Sequence, residues 1–382
     1  MKISNEASFL LELIRSYIFS SKPAFPLSNT AIEYCSQFGL GPILALTYLK
    51  YNDLVTEELK KKLLSIEMTA KFFATSHNRA ITEILNEAQN QGIKVILLKG
   101  IHLSNQYYEY PYLRLMGDID ILVQQSDIHS ISMILKTLGY IQKSDNPDTF
   151  YETHHHLKPF YNQSTNIWVE VHIDVFPQTI PFATRSLFQI NYISQNLIPG
   201  TLNNYNYYAL SPELNLHYTI THWIREFKIS TSLIQIIDIL RIIKMEQIDW
   251  NKFVSMIETR SHATEVKLTL GFLIESRLIT IHEDTINAIY SKKDTMGFLG
   301  NLILKYLFYG YIYDNKFITQ ILGDANCAGF FRSYLREKSS ISNHFNALVT
   351  FIFPSDTDSP STQTSFRERF LSLLRRSRKS TK

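Results

Sequence analysis

Hydrophobic and polar positions follow two rhythms along this chain, and the change between them falls near Gly92. Before it, Leu10, Leu13, Ile14 and Tyr17 recur every three or four residues, as do Ile81, Ile84, Leu85 and Ala88, which is the spacing of a single buried helix face. The pattern predicts helices over Ala7 to Ser20, Thr30 to Tyr51, Glu57 to Phe73 and Asn78 to Gln91, with Lys22-Pro23 and Pro26 as a turn and Gly92 as a stop. After it, strand and helix alternate. Lys94 to Leu98 is a short apolar run suited to a buried strand, Gly100 opens a helix through about Tyr108, Asp118 to Val123 is a second strand, and Asp127 to Leu138 is a helix closed by Gly139.

Thr149 to Tyr161 and Ile167 to Val175 read as two further strands joined by the polar turn Asn162-Gln163-Ser164-Thr165-Asn166. In the second, Ile167, Val169, Val171, Ile173 and Val175 share one face, and Trp168, Glu170, His172 and Asp174 the other. Beyond Pro181 the signals turn helical again. Ser211-Pro212-Glu213 supplies an N-cap and a first-turn proline, and helices follow over Thr231 to Lys244, Phe253 to Thr259, Ala263 to Arg277 and Leu299 to Tyr313. Past Pro354, Ser355-Asp356-Thr357-Asp358-Ser359-Pro360-Ser361 has linker composition, and no internal repeat is visible.

Composition narrows the class. A chain of 382 residues with 45% apolar and 19% charged residues has enough material for two or three folded domains. The net charge of +3 excludes a strongly basic nucleic-acid binder as a whole, yet the charge is uneven. Residues 366–382 hold Arg367, Arg369, Arg375, Arg376, Arg378, Lys379 and Lys382 against Glu368, an excess of six positive charges that leaves −3 on the remainder. Phe366, Phe370, Leu373 and Leu374 form a stripe in this tail, which suits RNA, an anionic membrane surface or an acidic partner, or else is a solvated terminus. Cys35 and Cys327 are too few for a disulfide framework or a zinc ribbon and fit a reduced cytoplasm. No signal-peptide pattern opens the chain, and charged or polar residues break every apolar segment before it reaches the length of a membrane span.

The chemistry concentrates at Gly117-Asp118-Ile119-Asp120-Ile121-Leu122-Val123. On a strand Asp118 and Asp120 project to one side, and two neighbouring carboxylates repel unless a cation stands against them. Hard oxygens suit Mg²⁺ or Mn²⁺, which keeps positions for water and substrate phosphates; the alternative is an exposed acidic strand end. Glu170 is a candidate third metal ligand or general base, set against the solvated side of an edge strand, and His172 and Asp174 share its face. Lys99 and Gly100 sit at a strand-to-helix turn where backbone N–H groups and an ammonium attract phosphate, or where a plain turn exposes a lysine. Arg114 either grips a triphosphate or neutralises Asp118. His154 and His156 share a strand face that His155 does not, and zinc lacks evident further ligands there; packing or a pH-sensitive edge accounts for the run. His217, His222 and Asp238 read as core or interhelical polar pairs.

Taken together, Leu97-Leu98-Lys99-Gly100, Arg114, Gly117 to Val123, Gly139-Tyr140, His156 and Val169-Glu170-Val171-His172 resemble the uncharacterised bacterial nucleotidyltransferase family of the polymerase-beta-like superfamily, over roughly residues 76–260, with Asp238 and Asp249-Trp250 as later signals. The resemblance implies a polymerase-beta-like nucleotidyltransferase core of small mixed sheet and helices, two metal-binding acids, Asp118 and Asp120, and a third in Glu170. With the element pattern this gives an α+β expectation: the core over 76–180, an N-terminal helical region over 1–75, a C-terminal helical domain over 181–350, and a linker with basic amphipathic tail over 351–382; nucleotide contacts from Lys99, Gly100, Arg114 and His172 are expected from the residues themselves. Where the superfamily usually follows the turn glycine with Ser or Gly, this chain has Ile101. The expected activity is Mg²⁺- or Mn²⁺-dependent transfer of a nucleoside monophosphate from an NTP to a hydroxyl-type acceptor on a protein, small molecule, sugar or RNA. A D-x-D glycosyltransferase and a non-catalytic nucleotide- or partner-binding module are the alternatives.

Overall fold

The computed structural model describes residues 5–152, 154–177, 185–225 and 229–294. The helix expected over Leu299 to Tyr313, Cys327, the linker after Pro354 and the basic tail lie outside the described residues. At the N-terminal end, α1 (Asn5–Phe19), α2 (Asn29–Gln37), α3 (Gly41–Tyr48) and α4 (Glu57–Asn90) follow one another. The single helix expected over Thr30 to Tyr51 is broken in two because Gly39 takes a φ of +70°, a left-handed turn that ends α2. The two helices expected between Glu57 and Gln91 are instead one of 34 residues. No glycine or proline interrupts them, and the hydroxyls of Thr75 and Ser76 donate back to the carbonyls of Lys71 and Phe72, so polar residues sit within the helix without unwinding it.

The centre of the molecule is a seven-stranded mixed sheet. Its strands are β1 (Ile96–Leu97), β2 (Asp118–Leu122), β3 (Ile141–Gln142), β4 (Phe160–Asn162), β5 (Ile167–His172), β6 (Leu197–Leu202) and β7 (Tyr205–Leu210), in the spatial order β3-β4-β5-β2-β1-β7-β6. Between them run α5 (Lys99–Tyr107), α6 (Ile128–Thr137), the single turn α7 (Asp148–Tyr151) and α8 (Ile190–Gln195). β2 and β5 are parallel, while β1 pairs antiparallel with β2 and parallel with β7. One face buries Ile119, Ile121, Val169 and Val171 with Ile81, Ile84 and Leu85 of α4 and Ile131 and Leu135 of α6. The alternation read along β5 ends at His172, since the backbone N–H groups of Ile173 and Asp174 both donate to the carbonyl of His155.

Two departures from the sequence pattern have local causes. The strand expected over Thr149 to Tyr161 is confined to Phe160–Asn162, because Pro147 caps the turn of α7 and Pro159 offers no N–H for pairing. The hairpin of β6 and β7, which joins the central sheet through β7 on β1, falls beyond Pro181, in the stretch where the pattern predicts helices. Asn203 and Asn204, with φ of +48° and +71°, make the tight turn that joins them.

The C-terminal helices α9 (Pro212–Arg225), α10 (Ile229–Met245), α11 (Trp250–Ser255), α12 (Arg260–Glu275) and α13 (Glu283–Ser291) share a core with the N-terminal ones. Leu10, Leu13 and Leu44 are buried in the same cluster as Trp223, Ile237 and Phe272. Within it Arg185 grips Glu265 through two bonds, Nη2 to Oε1 at 2.6 Å and Nη1 to Oε2 at 2.9 Å, with Thr221 and Ser261 alongside; both charged side chains are fully buried. Removing one partner strands the other charge in a dry interior. Glu265→Ala is therefore expected to cost about 3–5 kcal/mol. A loss of less than about 1 kcal/mol, taken as the shift in urea midpoint times an unchanged slope, contradicts this assignment.

Candidate acidic site on the central sheet

β2 and β5 run in parallel with Asp118 opposite Trp168, Asp120 opposite Glu170 and Leu122 opposite His172, so Asp120 meets Glu170 directly in register. Period two puts Asp118 and Asp120 on the face opposite Ile119 and Ile121, as the sequence spacing requires. Asp120 is 2% exposed. Lys99 Nζ donates to its Oδ1 at 2.7 Å, and His172 Nε2 donates to the same oxygen at 2.8 Å. Oδ2 accepts no hydrogen bond from the described residues. Glu170 Oε2 stands 3.6 Å from His172 Nε2 and 3.7 Å from His156 Nε2. Ligand atoms of Asp120, Glu170 and His172 all lie within 4.8 Å of one another.

Charge is unbalanced here. Three carboxylates face one lysine and one histidine, and the consequence falls on Asp118. Repulsion from Asp120 first, then burial, pushes its carboxyl up from 3.8 to about 7, against the pull of Lys99. For Asp120, burial opposes ionisation, but Lys99 and the His172 hydrogen bond outweigh it and hold the carboxyl well below the usual range. Burial likewise opposes the charge on His172, and its bonds to Asp120 and Glu170 win, raising it above 6.5. Glu170 is lowered, its burial outweighed chiefly by His172. His156 is lowered by burial, partly offset by Glu170.

Lys99 reaches Asp120 from a strained position. It opens α5 with a φ of +43°, a region that non-glycine residues seldom occupy and that persists only where surrounding contacts impose it. The next residue has to be small: a Cβ on Gly100 would stand 3.0 Å from the Cβ of Met116. The N–H of Leu98 bonds to the carbonyl of Asp120 at 3.1 Å, which fixes the turn against β2.

Arg114 sits beside this turn but is engaged elsewhere. Its Nε lies 3.1 Å from each carboxylate oxygen of Asp238 on α10, and Nη2 donates to Oδ2 at 3.0 Å. Tyr108 adds a bond to Oδ1 at 2.6 Å. Of the two expectations for Arg114, direct pairing with Asp118 is not made, and Asp118 acts on it through space. Asp238, buried as the core reading expects, joins the loop before β2 to α10 and so pairs a helix with a loop where an interhelical pair was the alternative. His217 also behaves as a core residue, donating from Nε2 to the carbonyl of Phe253, and His222 lies 3.5 Å from Gln235.

The histidine run departs from its expected alternation. Residues 154–156 are not part of a strand, and the three rings gather with centroids 4.2–4.9 Å apart, His155 included. Period-two reasoning could not place His155 with its neighbours; the flanking prolines were the available signal.

As a class, this is an acid-rich site on a mixed sheet, fed by two parallel strands and a strained lysine-glycine turn. The model of the uncharacterised nucleotidyltransferase family matches residues 29–274, more than half of the chain, and the protein belongs to that family. A crystal structure of an antigenic nucleotidyltransferase-like protein from Paracoccidioides brasiliensis is similar at 14% identity and a TM-score of 0.37, covering 57% of this chain and 93% of that one, a likeness too slight to support a conclusion. No curated protein matches the sequence.

The raised Asp118 gives a signed pH dependence. A carboxyl that binds its proton more tightly when folded favours the folded state below its unfolded pKa, and that contribution is lost as pH rises from 3.8 through about 7. In chelator, Asp118→Asn is expected to be more stable than the wild type by about 1–3 kcal/mol near pH 8, with the gap closing toward pH 4. Urea unfolding across that range measures it; a gap that widens on acidification contradicts the assignment.

Proposed function

We propose that the chain is a nucleotidyltransferase that moves a nucleoside monophosphate from an NTP to a hydroxyl-type acceptor, with release of pyrophosphate, at the Asp118–Asp120–Glu170 site. One observation carries the reading: three carboxylates from two in-register parallel strands hold more negative charge than Lys99 and His172 offset, and Asp118 bears the excess. A divalent cation removes that excess. Asp120 and Glu170 offer hard oxygens of the kind Mg²⁺ or Mn²⁺ takes, within 4.8 Å of one another and of a His172 nitrogen, and Asp118, two residues before Asp120 on the same strand face, would add a further one. Such an ion, when bound, neutralises the triphosphate and stabilises the charge that develops on the departing oxygen.

The chain's own residues then have separable tasks. Asp118 and Asp120, with Glu170, would hold the cation. Lys99, turned by its unusual backbone toward Asp120, is a cation at the N-terminal end of α5, where the ammonium and the helix dipole attract phosphate oxygens. Gly100 keeps the wall of that turn low. Glu170 accepts the proton of the acceptor hydroxyl as its oxygen attacks the α-phosphorus. The new O–P bond forms while the bond from the α-phosphorus to the bridging oxygen breaks, and that oxygen leaves with the pyrophosphate. His172 steadies Asp120 and Glu170 from a fully buried position. Arg114, held by Asp238, is assigned a structural part.

The Lys99–Asp120 ion pair favours a second reading, a nucleotide-binding module without turnover, because it already neutralises part of the site. Incubation of full-length protein with each α-labelled NTP, Mg²⁺ and a cell extract separates the two. Label transfer is expected in the wild type and is expected to fall at least 100-fold in Asp120→Asn, about 3 kcal/mol of transition-state stabilisation, with the circular-dichroism melt retained. Equal transfer by both proteins rejects the assignment; Mg²⁺-dependent NTP binding with no pyrophosphate release supports the second reading.

A further inference from the structure

Next to the carboxylates lies a group of donors of a different chemical kind. His154, His155 and His156 each present a ring nitrogen, and the three nitrogens lie within 4.8 Å of one another. Consecutive residues of an extended chain point their side chains to opposite sides, so convergence of all three requires a particular backbone, and several contacts hold it. His156 bridges to His172 across the sheet edge, Leu157 N–H donates to Val171, and the carbonyl of His155 takes both the Ile173 and Asp174 N–H groups. Phe150 packs on His154 with centroids 4.7 Å apart, and Tyr151 stands 5.9 Å from His156.

The tautomer of His156 is also set. Its Nδ1 donates to the carbonyl of Leu157 at 2.7 Å, which leaves the lone pair on Nε2. A ring nitrogen bonded to a carbonyl, with the other free to ligate, is how metal-binding imidazoles are usually oriented. Tetrahedral coordination at about 2.0–2.1 Å needs nitrogens roughly 3.4 Å apart, against a separation of at most 4.8 Å here.

From this we infer that His154, His155 and His156 form a tri-imidazole site for a transition-metal ion, Zn²⁺ by preference, bordering the hard-oxygen site at Glu170, whose Oε2 stands 3.7 Å from His156 Nε2. Nitrogen donors select Zn²⁺ over Mg²⁺, and three protein ligands leave the fourth position of a tetrahedral ion for water. The site goes beyond nucleotidyl transfer and stands or falls separately from it.

The test uses tag-free, full-length protein stripped with chelator and dialysed against Zn²⁺ in the presence of excess Mg²⁺, with bound zinc counted by mass spectrometry. One zinc per chain is expected, and it is expected to remain in Asp120→Asn and to weaken about 100-fold or more in the His154→Asn, His155→Asn double variant, beyond the effect of losing an outer partner. No zinc in the wild type overturns the proposal. So does zinc lost in Asp120→Asn yet kept in the double variant, since the ion then belongs to the carboxylates. Should the double variant fail to fold, X-ray absorption of the zinc-loaded wild type decides: scattering from three imidazoles supports the site, and an all-oxygen shell overturns it.

Discussion

The site depends on a carboxylate buried where a carboxylate is costly. Asp120 stays ionised in the sheet only because Lys99 and His172 donate to one of its oxygens. Each of those partners is itself held by a separate constraint. Lys99 reaches Asp120 through a backbone angle that lysine seldom adopts, and His172 through the register of β5 on β2. With Asp120 fixed as an anion, the next acid along the strand has to share its field, which is why burial and repulsion bear on Asp118 so heavily.

This chain of dependence begins in the sheet order. Parallel pairing of β2 with β5 sets Asp120 opposite Glu170 and Asp118 opposite Trp168, while antiparallel β1 delivers the Lys99 turn to the same strand. A slip of one residue in β5 would send Glu170 and His172 to the face packed against α4 and α6. The apolar residues Val169 and Val171 forbid that slip, since it would expose them in turn. Core and site are thus specified by alternate residues of the same six-residue strand.

Much of this was legible because it rests on short-range periodicity. The alternation of β2 and β5, the α6 stop at Gly139 and the helical stripe of Ile81, Ile84 and Leu85 are all local patterns, and their acids could be assigned a face without coordinates. What periodicity could not supply was pairing between distant residues. Arg114 and Asp238 lie 124 positions apart, and no spacing rule joins them. The continuity of α4 escaped for the opposite reason, because the polar stretch through Thr75 and Ser76 resembles a break until its hydroxyls are seen bonding back along the helix. The histidine run was misjudged by extending a strand past Pro159, where pairing has no N–H to use.

Asp238 has a further consequence. It takes bonds from Arg114 and Tyr108, which stand on either side of the short segment joining α5 to β2. A single side chain of α10 therefore staples both ends of that connector, and the acid-bearing strand begins four residues after Arg114. The helical part of the molecule is thereby anchored to the loop that leads into the sheet's acidic strand, and the two share one buried carboxylate as their hinge-point.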